Sequence, residues 1–85
     1  MIIVHGKSGC SQCTTTTNWL SSKGIEFTYK DLDKEPELLE GFLKRGFRSL
    51  PVVIVLNDQG EEVEAFSGFY MGRVMQLEKH GKSAW

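Results

Sequence analysis

The chain has 85 residues, 40% hydrophobic and 25% charged, with a formal net charge of −1. A chain of this size makes one domain and buries only about 60 to 65 per cent of its unfolded surface. The near-neutral balance gives no electrostatic reason to expect nucleic acid or a membrane as partner, and no apolar run is long enough to span a bilayer.

Met1 leads directly into the apolar strand Ile2-Ile3-Val4, with no basic region, apolar stretch and cleavage site of a signal peptide. The expected setting is therefore a reducing cytoplasm, where a dithiol is usually catalytic. The strand runs into the chain's only two cysteines, Cys10-Ser11-Gln12-Cys13, and a helix is expected to follow. Thr14 to Thr17 are mediocre helix formers, so packing through Trp19 and Leu20 must hold that helix. Gly24, after Lys23, is expected to end it. Ile25 to Lys30 alternates apolar and polar residues and reads as a second strand. Asp31, Asp33 and Glu35 gather before Pro36, a helix start. Leu38, Leu39, Phe42 and Leu43 make its apolar stripe, read as core, and Gly46 closes it.

Val52 to Leu56 is a continuous apolar run, as in a central strand buried on both faces. Asn57-Asp58-Gln59-Gly60 reads as a hairpin turn, and Glu61 to Phe66 returns with Val63 and Ala65 inward and Glu62 and Glu64 outward. Met71, Val74, Met75 and Leu77 suggest a last helix ending near Gly81. The order β-α-β-α-β-β-α implies an α/β domain over residues 1–81, with 82–85 as a short tail. It should be a four-stranded mixed sheet flanked by three helices, with helical crossovers between parallel strands and a final antiparallel hairpin.

A strand that ends in Cys-x-x-Cys and opens a helix reads as a redox site. The first thiol lands at a helix N-terminus, where free N–H groups and the positive dipole end favour an anion. The second lies one turn on, close enough to close a ring with the first. Zinc would need about four ligands, and besides these cysteines there are only His5 and His80, neither at ligand spacing. A structural disulfide across so small a loop would add little stability.

This pattern resembles the thioredoxin fold, at the length of its glutaredoxin-like branch, and within that branch it resembles the NrdH-redoxin family. Cys10-Ser11-Gln12-Cys13 is similar to that family's Cys-[Val/Met]-Gln-Cys. Gly46-Phe47-Arg48-Ser49-Leu50-Pro51-Val52-Val53 is similar to its Gly-Phe-Arg-x-Leu-Pro-Val-Val, and Ser67-Gly68-Phe69 to the core of its Trp-Ser-Gly-Phe-Arg-Pro. The resemblance implies a cis bond before Pro51, although about 95 per cent of X–Pro bonds are trans. It implies that this loop lies against Cys10, that Leu50 offers its backbone to an extended substrate segment, and that Ser67, Gly68 and Phe69 border the same groove. It also implies a bound-cofactor-free electron carrier that works through a Cys10–Cys13 disulfide. Its electrons come ultimately from NADPH through thioredoxin reductase, and its target is ribonucleotide reductase. Phe66 stands where the family has tryptophan, and Tyr70-Met71 replaces its Arg-Pro.

Cys10 is then the expected nucleophile on a protein disulfide, and Cys13 resolves the mixed disulfide. Lys7 is either a source of positive potential for Cys10 or a plain surface lysine. His5 is either a strand-end polar residue or a proton shuttle. Ser11 and Gln12 either aid recognition or are solvated. Two other functions compete. A glutathione-dependent glutaredoxin typically carries Pro-Tyr between the cysteines and a Gly-Gly pair near an Asp, where this chain has Ser11-Gln12 and Ser67-Gly68-Phe69-Tyr70-Met71. A thioredoxin-fold binding module would carry its thiols incidentally. A monomer is the default for so small a carrier.

Overall fold

The structure, a computed structural model, describes residues 1–68. Its elements are β1 (Ile2–Gly6), α1 (Ser11–Ser22), β2 (Thr28–Asp31), a short 3-10 turn (Leu32–Lys34), α2 (Pro36–Lys44), β3 (Val52–Leu56) and β4 (Glu62–Ser67). The expected last helix around Met71, Val74, Met75 and Leu77, and the tail at 82–85, lie outside the described residues.

The strands form one mixed sheet in the order β2-β1-β3-β4. β1 runs parallel to β2 and antiparallel to β3, and β3 runs antiparallel to β4. The first crossover thus joins parallel neighbours as expected. The second does not. After β2 the chain passes α2 to the far side of β1, and β3 enters from the opposite end.

Alternation along the two central strands sorts the core. Ile2, Val4, Val53 and Val55 point to the α1 side with Leu20, Ile25 and Phe66. Val52 and Ile54 point to the α2 side with Leu32 and Phe42. Each helix therefore covers one face, as the unbroken apolar run at 52–56 requires.

The threonine run holds α1 in an additional way. The Thr14, Thr15 and Thr16 hydroxyls donate to the carbonyls of Cys10, Ser11 and Gln12, and Thr17 donates to Thr14. Cys13, Thr16 and Leu20 form its buried stripe, with Trp19 half-buried beside it. α2 begins at Pro36 as expected, and Gly46 follows its end at φ +92°.

Two strand boundaries, one added turn and three side chains differ from expectation. β2 begins at Thr28 rather than Ile25, because Ile25 tucks into the core under α1 and Phe27 packs against it before pairing starts. A 3-10 turn capped by the Asp31 carboxylate, which accepts from Asp33 N–H at 2.9 Å, occupies the acidic segment before α2. β4 runs over Glu62–Ser67, one residue later than Glu61 to Phe66. Val63 is 52% exposed and Glu64 half-buried, the reverse of the expected alternation. A bulge causes this: Val55 pairs with Glu64 while Leu56 pairs with Glu62, so Val63 is the extra residue and the faces change. Leu43 is 46% exposed, because the stripe of α2 centres on Leu38, Leu39 and Phe42, and Leu43 lies about 100° round from Phe42.

Candidate active site

The two thiols sit where β1 gives way to α1. A tight turn makes the join: Cys10 N–H donates to the Lys7 carbonyl at 3.3 Å, and Gly9 takes φ +80°, the left-handed value its place in the turn calls for. Cys10 then has extended backbone and caps α1. Its sulfur accepts a hydrogen bond from Cys13 N–H at 3.2 Å. That leaves Cys10 half-buried at the helix N-terminus and Cys13 almost wholly buried, both as free thiols. The exposure order matches the expected roles of attacking and resolving sulfur.

Burial pushes the Cys13 thiol up to about 12, helped by its hydrogen bond with Cys10. Cys13 is therefore a neutral thiol at rest. It is held one turn behind a more accessible sulfur, with which it can form a disulfide.

A shallow groove passes over Cys10, lined by Gly9, Ser11, Gln12, Arg48, Ser49 and Leu50. A second depression on the other side of Cys10 adds Thr14 and Thr15. The Leu50–Pro51 bond is cis. Among the described residues neither the N–H nor the C=O of Leu50 has a backbone partner. Pro51 is buried beneath the groove, and its carbonyl accepts from Gly68 N–H at 2.8 Å. The Ser49 hydroxyl donates to that of Ser67 at 3.3 Å. Ser11, Gln12, Leu50, Pro51, Ser67 and Gly68 thus gather around one site from three segments. Phe69 lies outside the described residues.

Lys7 is close in sequence, but its ammonium lies 3.4 Å from the Asp33 carboxylate, whose other oxygen accepts from Ser8. His5 is buried on the α2 side, edge-on to Phe42 at 4.9 Å, while its neighbour Gly6 faces Cys13 on the α1 side. That placement suits a packed strand residue rather than a shuttle to the thiols.

Three contributors escaped sequence reasoning. Arg48 was readable as part of the loop before Pro51, yet only the fold turns it to the groove. Gly6 and Tyr29 meet beside Cys13 through the parallel pairing of β1 and β2. No local signal gives that register.

Comparison with known proteins agrees with this architecture. The glutaredoxin family model matches residues 2–60. The glutaredoxin-like protein NrdH of Lactococcus lactis subsp. cremoris is 34% identical over 77 residues, covering 91% of this chain and 99% of the relative. The SPbeta prophage-derived thioredoxin-like protein YosR of Bacillus subtilis is 37% identical over 70 residues, covering 82% of this chain and 84% of that protein. The solved structure of the glutaredoxin-like protein NrdH-redoxin from Escherichia coli, described for its thioredoxin-like activity profile, superposes with a TM-score of 0.76 at 32% identity, covering 89% of this chain and 92% of that one.

Proposed function

Because the chain belongs to the glutaredoxin family and, within it, to the NrdH-redoxins, which are thiol–disulfide oxidoreductases, we propose that it is a dithiol electron carrier for protein disulfides. In this reading Cys10 attacks a target disulfide presented along the groove, and a mixed disulfide forms. Cys13 then attacks Cys10 Sγ and releases the reduced target. An intramolecular thiol one helical turn away has a high effective concentration, which favours this second step over escape of the complex. Leu50 holds the target segment through its backbone groups. Ser11, Gln12, Pro51, Ser67 and Gly68 border that segment.

The observation that carries this reading is the pairing of an accessible Cys10 at the groove with a buried, neutral Cys13 behind it. The thioredoxin-like activity profile of the Escherichia coli relative supports recharging by thioredoxin reductase, with electrons from NADPH. Ribonucleotide reductase is the proposed target, in a cytoplasmic setting, with the carrier acting as a monomer. Among the described residues no helix is long and apolar enough to cross a membrane.

The test follows NADPH oxidation by the oxidised protein, with thioredoxin reductase in one cuvette and glutathione plus glutathione reductase in the other. Turnover with thioredoxin reductase alone is expected. Turnover with glutathione alone would make this a glutathione-dependent glutaredoxin. Silence in both would favour a binding module.

A further inference from the structure

Gly6 ends β1 on the α1 side of the sheet, and its missing side chain leaves a gap that two groups share. A β-carbon at Gly6 would stand 2.8 Å from Cys13 Sγ, 3.1 Å from Cys13 Cβ and 2.9 Å from the Tyr29 hydroxyl. Tyr29 arrives there through the register: it pairs with Val4 on the α1 side, two residues before Asp31 pairs with Gly6. Tyr29 is 44% exposed, while its hydroxyl turns in toward Gly6. The phenol hydroxyl and the Cys13 sulfur thus border one gap, reached by Tyr29 from the edge strand, and only a glycine at position 6 leaves room for both.

We propose that Tyr29 is a positioning residue for the second half of the exchange, its hydroxyl donating a hydrogen bond to the Cys13 sulfur as that sulfur becomes an anion. The proposal rests on the dithiol reading above. In that half-reaction Cys10 Sγ is joined to a target cysteine. Cys13 loses its proton to water, and its thiolate attacks Cys10 Sγ. The Cys10–Cys13 bond forms as the bond to the target breaks. The target thiolate leaves with the electron pair and takes a proton from water. Over the whole exchange the target disulfide gains two electrons and the dithiol loses two.

A donor is needed at that moment, because burial holds Cys13 far above neutrality and its anion is scarce. Once Cys10 is in a mixed disulfide it carries no proton or charge of its own to offer. The Tyr29 phenol is itself held above its ordinary value, first by burial and then by the negative potential of Cys13, Asp31, Cys10 and Asp33. It therefore stays protonated, and a donor, across the neutral range. Those four groups come from α1 and its N-cap, from the end of β2 and from the 3-10 turn after it, and Lys7 answers Asp33. His5 faces the other side of the sheet.

The experiment isolates Cys13 in a Cys10→Ser background and measures the pH–rate profile of iodoacetamide alkylation with and without Tyr29→Phe. Without the phenol the midpoint is expected to rise by about one pKa unit, a tenfold smaller thiolate fraction at a given pH. A change of access would scale the rates and leave the midpoint alone. Coincident midpoints overturn the proposal.

If circular dichroism shows that the double variant is unfolded, the unsubstituted protein is labelled with 13Cζ-tyrosine. Its Tyr29 titration is then followed in the dithiol and disulfide forms, with the Tyr70 signal assigned through Tyr70→Phe. A higher Tyr29 midpoint in the dithiol form is expected, and equal midpoints overturn the proposal. Neither measurement uses a target or a reductase, so this idea and the carrier reading fail separately.

Discussion

Positions 5 and 6 of β1 point to opposite faces of the sheet, and each meets a buried titratable group. On the α2 side, His5 itself is buried against Phe42, and its Nδ1 has no hydrogen-bond partner among the described residues. On the α1 side, Gly6 makes room for Cys13, whose thiol lies among the Cys10 sulfur, the Lys7 backbone and the Tyr29 hydroxyl. Burial does the same thing to both groups: it disfavours charge, lowering the histidine and raising the cysteine. The surroundings differ. The imidazole packs against an aromatic ring on the face away from the thiols, with Lys30 and Glu35 acting on it only through their charge. The thiol stands behind an accessible sulfur, with hydrogen-bonding groups around it and a phenol leading to water. Desolvation alone does not mark a reactive group. A second, polar neighbourhood does.

The sharpest way to break this contrast is to remove the sulfurs. Cys10→Ser is expected to reduce insulin disulfides no faster than a buffer blank. Cys13→Ser is expected to keep the first attack and stall as a mixed disulfide with the target, visible as the summed mass under non-reducing conditions. If Cys13→Ser kept full turnover on protein disulfides, the α1 side would hold no resolving thiol and the contrast would collapse.

The next largest effect separates the faces by packing. Leu20 is fully buried on the α1 side and Phe42 nearly so on the α2 side. Leu20→Ala is expected to cost about 2–5 kcal/mol and Phe42→Ala about 3–5 kcal/mol in urea unfolding. For a domain whose whole stability is of order 5–15 kcal/mol, either loss is severe. Under conditions where both variants remain folded, only Leu20→Ala should speed alkylation of Cys13, because Leu20 and Cys13 share the buried stripe of α1. Equal acceleration in both variants would mean that the two faces loosen together.

Much of this was written in short-range patterns. The unbroken run Val52 to Leu56 requires two covered faces, and both helices are there. The acids before Pro36 start α2, and Asn57 to Gly60 closes the hairpin, with Asn57 Oδ1 accepting from the N–H groups of Gln59 and Glu61. Cys10 and Cys13 sit at the helix start that their spacing indicates. The resemblance, rather than any local rule, carried the cis bond before Pro51 and the approach of that loop to Cys10. What stayed hidden depends on register or on a one-residue irregularity. The bulge at Glu62 and Val63 exposes an apolar residue that alternation had turned inward. The meeting of Gly6, Tyr29 and Cys13 depends on which residue of β2 pairs with which of β1. The pairing of Lys7 depends on where Asp33 falls in a 3-10 turn that the acidic run did not announce.

A smaller effect belongs to the α2 side. The folded imidazole of His5 is held below its ordinary value, by burial first and by Lys30 second, with Glu35 opposing. The unfolded chain therefore binds this proton more readily than the folded one. Stability is full above about pH 6.5 and declines as pH falls from there to the depressed folded value, by at most about 1.4 kcal/mol per pH unit. Urea midpoints at pH 7.5, 6.5 and 5.5 should fall in the protein and stay level in His5→Phe, which keeps an aromatic ring against Phe42. A parallel fall in both would assign the acid sensitivity to other groups.

The smallest effect lies at the surface that joins the two regions, where the C-terminal end of α2 meets the start of β4. Arg45 makes a two-pronged contact with Glu62, at 3.1 and 2.6 Å, and its guanidinium also stands 5.0 Å from the Phe47 ring centre. The hydrogen bonds from Arg45 hold the Glu62 carboxyl below its ordinary value and raise the arginine in turn. Both side chains are more than a third exposed, so water and salt screen the pair, and such pairs contribute about 0.2–1 kcal/mol. Because the folded carboxyl is depressed, whatever it contributes is present above about pH 4.5 and lost as pH falls through the folded value. That window lies below the onset for His5, so the two can be told apart in one pH series. Glu62→Gln should lower the urea midpoint slightly at pH 7 and not at all near pH 2, and the difference should shrink in molar salt. A loss at pH 7 well above 1 kcal/mol would show that the bulge at Glu62 and Val63 depends on this contact. The ion pair would then be a fixed point of β4 rather than a surface accessory.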